Sequence, residues 1–260
     1  PKGLMEYIST CKREFKPQTK FQYSCLNYIT LQHIIETITG QSLRDFAKEN
    51  IFDILGMQYT DYLPTIQQQD GKWINTVACP WMDRIAPTEK QKDGSVLCGQ
   101  VHDPLARILN GGISGNAGIF SNANDIGILA AALLNGGEYN GHRILSPLGV
   151  KTMCTVPREL TAFGRTPGWD IFSPYASNKG DLFSPNTFGH TGYTGTSIII
   201  DPDNDTAVIL LVNAVHPEDR HSIVRLRSLV ANAVAASICP PAQVYTDHYY
   251  KRFLQFETET

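Results

Sequence analysis

The sequence predicts an α+β protein, on three observations. Stretches with helical spacing fill the first two thirds, strand-like apolar runs gather near the end, and one more helical stretch follows them. Composition fits a packed chain: 260 residues, 42% hydrophobic and 18% charged, are ordinary values for a globular protein with one sizeable core. The net charge of -3 gives no electrostatic footprint for nucleic acid and no polybasic membrane patch. No apolar run is long enough to span a bilayer. The chain opens at Pro1, as a processed product or an excised piece would. Cys11, Cys25, Cys79, Cys98, Cys154 and Cys239 are scattered without a CxxC pair and read as free structural thiols, so no metal and no cofactor is expected.

Each element follows from local pattern. Tyr28 to Thr39 places Leu31, Ile34, Ile35 and Ile38 on one helical face and stops at Gly40. Ser42 with Asp45 reads as a capping box for a second helix, whose apolar positions Leu43, Phe46, Ile51 and Leu55 end at Gly56. Gln67 to Gly71 is a polar loop. Asp103-Pro104 reads as an N-cap with proline at the first helical position, opening Leu105 to Leu109. Gly111 to Gly118 is a glycine-rich turn, and from Ser121 a third helix runs through Ile126, Leu129, Ala130 and Leu133 to Gly136-Gly137. Pro157 to Pro185, rich in proline, glycine and serine, reads as a long surface excursion carrying Trp169 and Asp170.

Next comes a β-hairpin: Ile198-Ile199-Ile200, a turn at Asp201 to Asp205, and Ala207 to Val212. The apolar stretch Val208 to Val212 lacks alternation, as expected of a strand covered on both faces. A last helix from His221 to Ser237 presents Ile223, Leu226, Val230, Ala233 and Val234 to that sheet. Two or three strands make a short sheet, so its missing neighbours are expected N-terminal to Pro1 or on another chain. The tail after Pro240-Pro241 has no assigned role.

Chemistry concentrates in Phe188-Gly-His-Thr-Gly-Tyr-Thr-Gly-Thr196. A glycine-flanked polar triplet on a hairpin strand lets a substrate approach backbone N–H groups closely. Tyr23, just before the first helix, could serve as a proton shuttle, but its spacing alone favours a packed tyrosine with its hydroxyl satisfied by backbone. His102-Asp103 resembles a catalytic dyad, but adjacent side chains rarely face each other, and a structural role is favoured. Trp169 and Asp170 could line the pocket mouth. Trp73 and Trp81 read as packing, and Asn116 is either a turn residue or a site residue.

These motifs, in this order, resemble the serine β-lactamase, penicillin-binding protein and carboxylesterase superfamily. Its three elements are S-x-x-K, Y-x-N or S-x-N, and K-T-G or H-x-G. Tyr23-Ser24 with the helices up to Ile51-Phe-Asp-Ile-Leu-Gly-Met57 resembles the second element, and Phe188-Gly-His-Thr-Gly192 the third. Ala86-Pro-Thr-Glu89, Val101-His-Asp103 and Gly115-Asn-Ala-Gly-Ile-Phe-Ser121 are similar to an esterase-like subgroup. The likeness covers nearly the whole chain. It implies a partial β-lactamase/transpeptidase-like domain over residues 1–260, with a mainly helical subdomain (24–186) and a hairpin plus terminal helix (187–240). A periplasmic or extracellular location follows from the same resemblance.

The resemblance also implies a mechanism. A serine attacks a carbonyl with help from its lysine and from Tyr23, and an acyl-enzyme forms that water releases. His190 joins Tyr23 as a catalytic residue. Thr191, Gly192 and Tyr193 bind substrate, the Tyr193 N–H as one oxyanion donor, with Cys25 and Trp169 also at the pocket. Cys25 replaces the asparagine of the second element, and Asn27 lies two residues beyond it. His190 replaces a permanently charged lysine. Both departures favour a small or neutral ester or amide over β-lactams and peptidoglycan. The only S-x-x-K match, Ser9 to Lys12, lies too near Tyr23 for the family's spacing. The nucleophile is therefore expected outside this chain, which alone should be nearly inactive. The rival reading is a non-catalytic binding module.

Overall fold

Helix α1 (Lys2–Thr10) precedes a turn region, after which Ser24 caps α2 (Cys25–Thr39) by accepting from the Leu26 N–H. The structure, a computed structural model, describes residues 2–12, 14–173, 179–219 and 222–238. Helix α2 ends at Gly40, whose φ of 71° is left-handed and suits a residue without Cβ. Ser42 then accepts from the Asp45 N–H to start α3 (Leu43–Ala47), as the capping box predicts. A π-helical turn (Lys48–Phe52) carries it into α4 (Asp53–Leu55).

The middle of the chain is built from short hairpins. Strand β1 (Asp61–Tyr62) pairs with β4 (Ile119–Phe120), and β2 (Thr65–Gln67) with β3 (Trp73–Asn75). The polar loop after Gln67 is therefore the tip of a hairpin. Asp103 does cap a π-helical turn (Leu105–Leu109), accepting from the Ala106 N–H. Helix α5 (Ala123–Leu134), capped by Asn122, is followed by the β5 (Glu138–Tyr139) and β6 (His142–Arg143) hairpin. Helix α6 (Pro147–Cys154) completes the region.

The last part is a three-stranded antiparallel sheet in the order β7 (Phe188–Thr191), β8 (Ser197–Asp201), β9 (Thr206–Leu210). Helix α7 (Val224–Ile238) follows. Consecutive residues of a strand point to opposite faces, which explains the unbroken apolar run in β8. Ile200 joins Ala130, Leu133, Val150, Ile171 and Phe188 on the α5 side, while Ile199 joins Phe183, Val208, Ala231 and Ala235 on the α7 side. Each Ile, Leu, Val or Phe side chain so buried contributes ~1.5–3 kcal/mol, and each alanine methyl less. A third cluster links α3 and α4 to α5 through Leu43, Phe52, Leu55, Met57, Tyr62 and Ala132. The fold class is α+β, with small sheets that do not close.

Three expectations change. Of the α2 stripe only Ile35 packs on the core, while Leu31, Ile34 and Ile38 are exposed, Ile38 at 79%; the helix buries Ile29 and Gln32 most deeply. Gln32 is drawn inward because its amide binds Ile113 O, Asn110 Nδ2 and the Gly115 N–H. Helix α7 is rotated part of the way: Val230 and Val234 pack on the sheet-side cluster as expected, but Arg227, Ala231 and Ala235 are the buried residues and Leu226 is exposed. Small residues let that helix approach the sheet, and Arg227 has carbonyl partners there. Residues 157–185 are no simple surface excursion, since Thr166, Asp170, Ile171, Ser173 and Phe183 are buried. His221 and the tail beyond Ile238 lie outside the described residues.

Candidate active site

Strand β7 owes its role to what glycine leaves open. A Cβ on Gly189 would lie 2.3 Å from Ile198 O, so the strand can sit tightly on β8 only with glycine there. Beyond Thr191 the chain turns, with the Gly192 N–H donating to Thr196 O and the Gly195 N–H to Gly192 O. The Tyr193 N–H is not used by these turn bonds. Arg227 braces the turn from α7, its Nη2 donating to Gly192 O at 3.0 Å and Thr196 O at 3.1 Å.

The outer edge of β7 carries a tight strap. Arg165 pairs with Asp170 across a Thr-Pro-Gly-Trp turn, and Asp170 pairs in turn with Gly189. Thr166 Oγ1 accepts from the Trp169 N–H at 2.7 Å and closes the turn. This pairing places the Arg165 side chain beside His190. Its Nη1 is 3.2 Å from His190 Nε2, and its Nε is 3.1 Å from Asp170 Oδ2. The Nε–H points off the carboxylate, so that ion pair is Coulombic rather than a directed hydrogen bond. The same guanidinium lies 5.5 Å from the Tyr23 ring centroid and 5.8 Å from that of Phe21, within cation–π range. Tyr23 and His190, 167 positions apart by number, thus share one cation.

Burial pushes the His190 imidazole below its ordinary range, and the Arg165 charge adds to that; the Thr191 carbonyl and Asp170 oppose it. His190 Nδ1 lies 3.0 Å from Thr191 O. Tyr193 is 75% exposed, yet both ends of its side chain are held. His102 stacks on its ring (centroids 5.7 Å apart, planes at 20°) and its hydroxyl donates to Asp219 Oδ2. The acceptor carboxylate holds the phenol proton on and raises its pKa.

The remaining sequence candidates fall as follows. Thr191 ends β7 and Gly192 begins the turn. Cys25 opens α2 and lines an open apolar groove of ≈ 720 Å³ with Leu4, Tyr7, Leu26, Leu105 and Leu109. Trp169 turns inward onto Phe188, centroids 5.3 Å apart, and packs on the α5-side cluster. Asn116 accepts from Ser114 Oγ within the Gln32–Asn110 network. Ser9 is exposed and bonds Glu6 O within α1, which ends before Lys12. Ser24 is committed as the α2 cap.

Sequence reasoning missed Arg165, Arg227 and Asp219, and left His102 as structural. Arg165 had a usable signal: a Pro-Gly pair flanked by residues of opposite charge marks a hairpin whose ends face each other. The other three meet the site only through tertiary packing. Among the described residues no His, Cys, Asp and Glu cluster could hold a metal, and no helix is long and apolar enough to cross a membrane.

Comparison with known proteins places this geometry in context. Residues 2–232 match the family model described as Beta-lactamase. A protein of Escherichia coli (strain K12) named "Putative D-alanyl-D-alanine carboxypeptidase" is 35% identical over 226 residues, which cover 82% of this chain and 49% of the relative. Its namesake in Salmonella gallinarum is 33% identical over the same length and shares. This chain therefore spans about half the length of these relatives. Among solved structures, simvastatin synthase (LovD) from Aspergillus terreus matches with TM-score 0.59 at 16% identity, covering 87% of this chain and 58% of that one. A beta-lactamase from Mycobacterium bovis gives 0.57 at 19% identity, covering 86% and 66%. EstCE1, a hydrolase with promiscuous acyltransferase activity, gives 0.51 at 18% identity, covering 85% and 57%.

Proposed function

The chain belongs to the beta-lactamase family, and from that premise we propose that it is one wall of a serine hydrolase cleft acting on a small ester or amide through an acyl-enzyme. The observation that carries this reading is the meeting of Tyr23 and His190 around Arg165, next to the turn that presents the Tyr193 N–H. The nucleophilic serine and its lysine lie outside this chain, as do the strands that extend the sheet. In the proposed reaction the serine oxygen bonds to the substrate carbonyl carbon. Its proton passes through the lysine and Tyr23 to the leaving group as that bond breaks. The Tyr193 N–H stabilises the oxyanion together with the N–H of the nucleophile. Water then attacks the acyl-enzyme and frees the serine. Thr191 and Gly192 line the strand on which the acyl group rests.

A second reading concerns the substrate. His190 in place of lysine argued against an anionic group, but Arg165 brings a permanent cation to the same place. Together with the names of the curated relatives, this favours an amide that ends in a free carboxylate, such as a D-alanyl-D-alanine peptide. Turnover of p-nitrophenyl acetate and of a peptide ending in D-alanyl-D-alanine separates the two substrate classes when measured side by side on the longer protein that this reading requires, in which the segment bearing the nucleophile is joined to this chain.

The hydrolase reading is tested by Tyr23→Phe in the longer protein, where kcat for the better substrate should fall ~10²–10⁴-fold. A fluorophosphonate should label the longer protein and leave this 260-residue chain unlabelled. Labelling of neither, with substrate still bound, would favour the binding module.

A further inference from the structure

We propose that Arg165 is the positioning residue of this site, fixing His190 as a neutral imidazole with its proton on Nδ1 and holding the Tyr23 ring beside it. The chemistry of the partners dictates the proton's place. A guanidinium can only donate, so the nitrogen it meets, His190 Nε2 at 3.2 Å, must be the lone-pair nitrogen. A carbonyl can only accept, so Nδ1, 3.0 Å from Thr191 O, must carry the hydrogen. Both ring nitrogens are thereby committed. His190 cannot take up a proton without turning a hydrogen bond into a repulsion between two cations.

The strap explains why Arg165 can do this reliably. Asp170, only 9% exposed, is held by the Ser173 N–H and hydroxyl and by its own backbone pairing with Gly189. Its carboxylate lies 3.1 Å from Arg165 Nε and holds the guanidinium in place by charge, while Nη1 reaches His190. Among the described residues, the charged groups facing the imidazole are therefore Arg165 and Asp170, both from the strap. On the opposite side the guanidinium supports the rings of Phe21 and Tyr23. Lysine cannot copy this arrangement, because a compact ammonium cannot reach the imidazole and keep its charge beside both the carboxylate and the two rings, as the extended guanidinium does.

The kinetic consequence rests on the acyl-transfer reading; the tautomer does not. The test is side-chain ¹⁵N NMR of the longer protein, with His190 assigned by the signal lost in His190→Asn. The expected spectrum shows one tautomer, with protonated Nδ1 and bare Nε2, that stays neutral below the usual histidine range. In Arg165→Met the tautomers should mix and the His190 titration midpoint should rise. The acid limb of the ester-hydrolysis profile should rise with it, and kcat should fall about 100-fold, as expected of a displaced catalytic group. Arg165→Lys should recover the low midpoint in part and little of the kcat. A wild-type proton on Nε2, or a midpoint and tautomer unmoved in Arg165→Met, overturns the proposal. Should Arg165→Met not fold, the wild-type tautomer and Arg165→Lys still decide it. If the longer protein hydrolyses nothing while His190 responds as stated, the acyl-transfer reading falls and the Arg165–His190 coupling stands.

Discussion

His190 ties a local protonation state to the stability of the whole fold. Burial and Arg165 hold its folded-state pKa below the ordinary value of 6.5. The unfolded chain therefore binds a proton in a pH window where the folded chain does not. Stability should be fully present above pH 6.5 and fall as the pH drops from there toward the folded pKa. Urea denaturation of wild type and His190→Asn between pH 7.5 and 5 tests this. The variant should lose less stability on acidification, and parallel curves would contradict the sign. Tyr193 combines fixity with exposure: its ring projects into solvent, yet His102 stacks on it and Asp219 accepts from its hydroxyl, beside the backbone N–H proposed as the oxyanion donor.

Among the elements, the turn after β7 depends on α7 and on glycine. Arg227→Met should remove the second donor from Gly192 O and Thr196 O, each of which keeps its turn N–H, so the loss is that of the hydrogen bonds themselves, ~0.5–1.5 kcal/mol apiece. Thermal unfolding should show the lower Tm. On the proposed function, hydrolysis in the longer protein should fall more than stability alone explains, because the N–H proposed as oxyanion donor shifts. Gly115→Ala probes the other wall: its Cβ would fall 2.1 Å from Tyr28 O on α2. The loop must move, at a cost of ~1–3 kcal/mol. Since Tyr28 OH meets Pro167 O of the strap at 3.4 Å, the disturbance should reach Arg165. A Tm equal to wild type would show that the loop yields freely.

At the level of the whole molecule, α5 and α7 cover the two faces of the sheet while β9 has a free edge among the described residues. Leu31, Ile34 and Ile38 on α2 and Leu226 and Leu229 on α7 are exposed as well. An open strand edge and apolar helix faces invite another segment to pair and pack. The part of the longer protein absent from this chain is the proposed occupant. Amide hydrogen exchange in β9 should therefore be fast in this 260-residue chain and slow in the longer protein. Equal protection in the two would remove that segment from the sheet.

What the sequence by itself determined is whatever depends on neighbours in the chain. The caps at Ser42, Asp103 and Gly40, the helical stretches, the β8–β9 hairpin and the His190-Thr191-Gly192 strand were all legible, because caps and periodicity are set within a few residues. The order of motifs also carried the family. Which face of α2 or α7 is buried was legible only in part, through Ile35, Val230 and Val234. Several apolar stripes could be drawn on each helix, and polar Gln32 and Arg227 won the inner face through partners far along the chain. Only the tertiary structure decided that Arg165 stands between Tyr23 and His190. A guanidinium finds its partners through space, so the sequence can supply the charge but not the place where it acts.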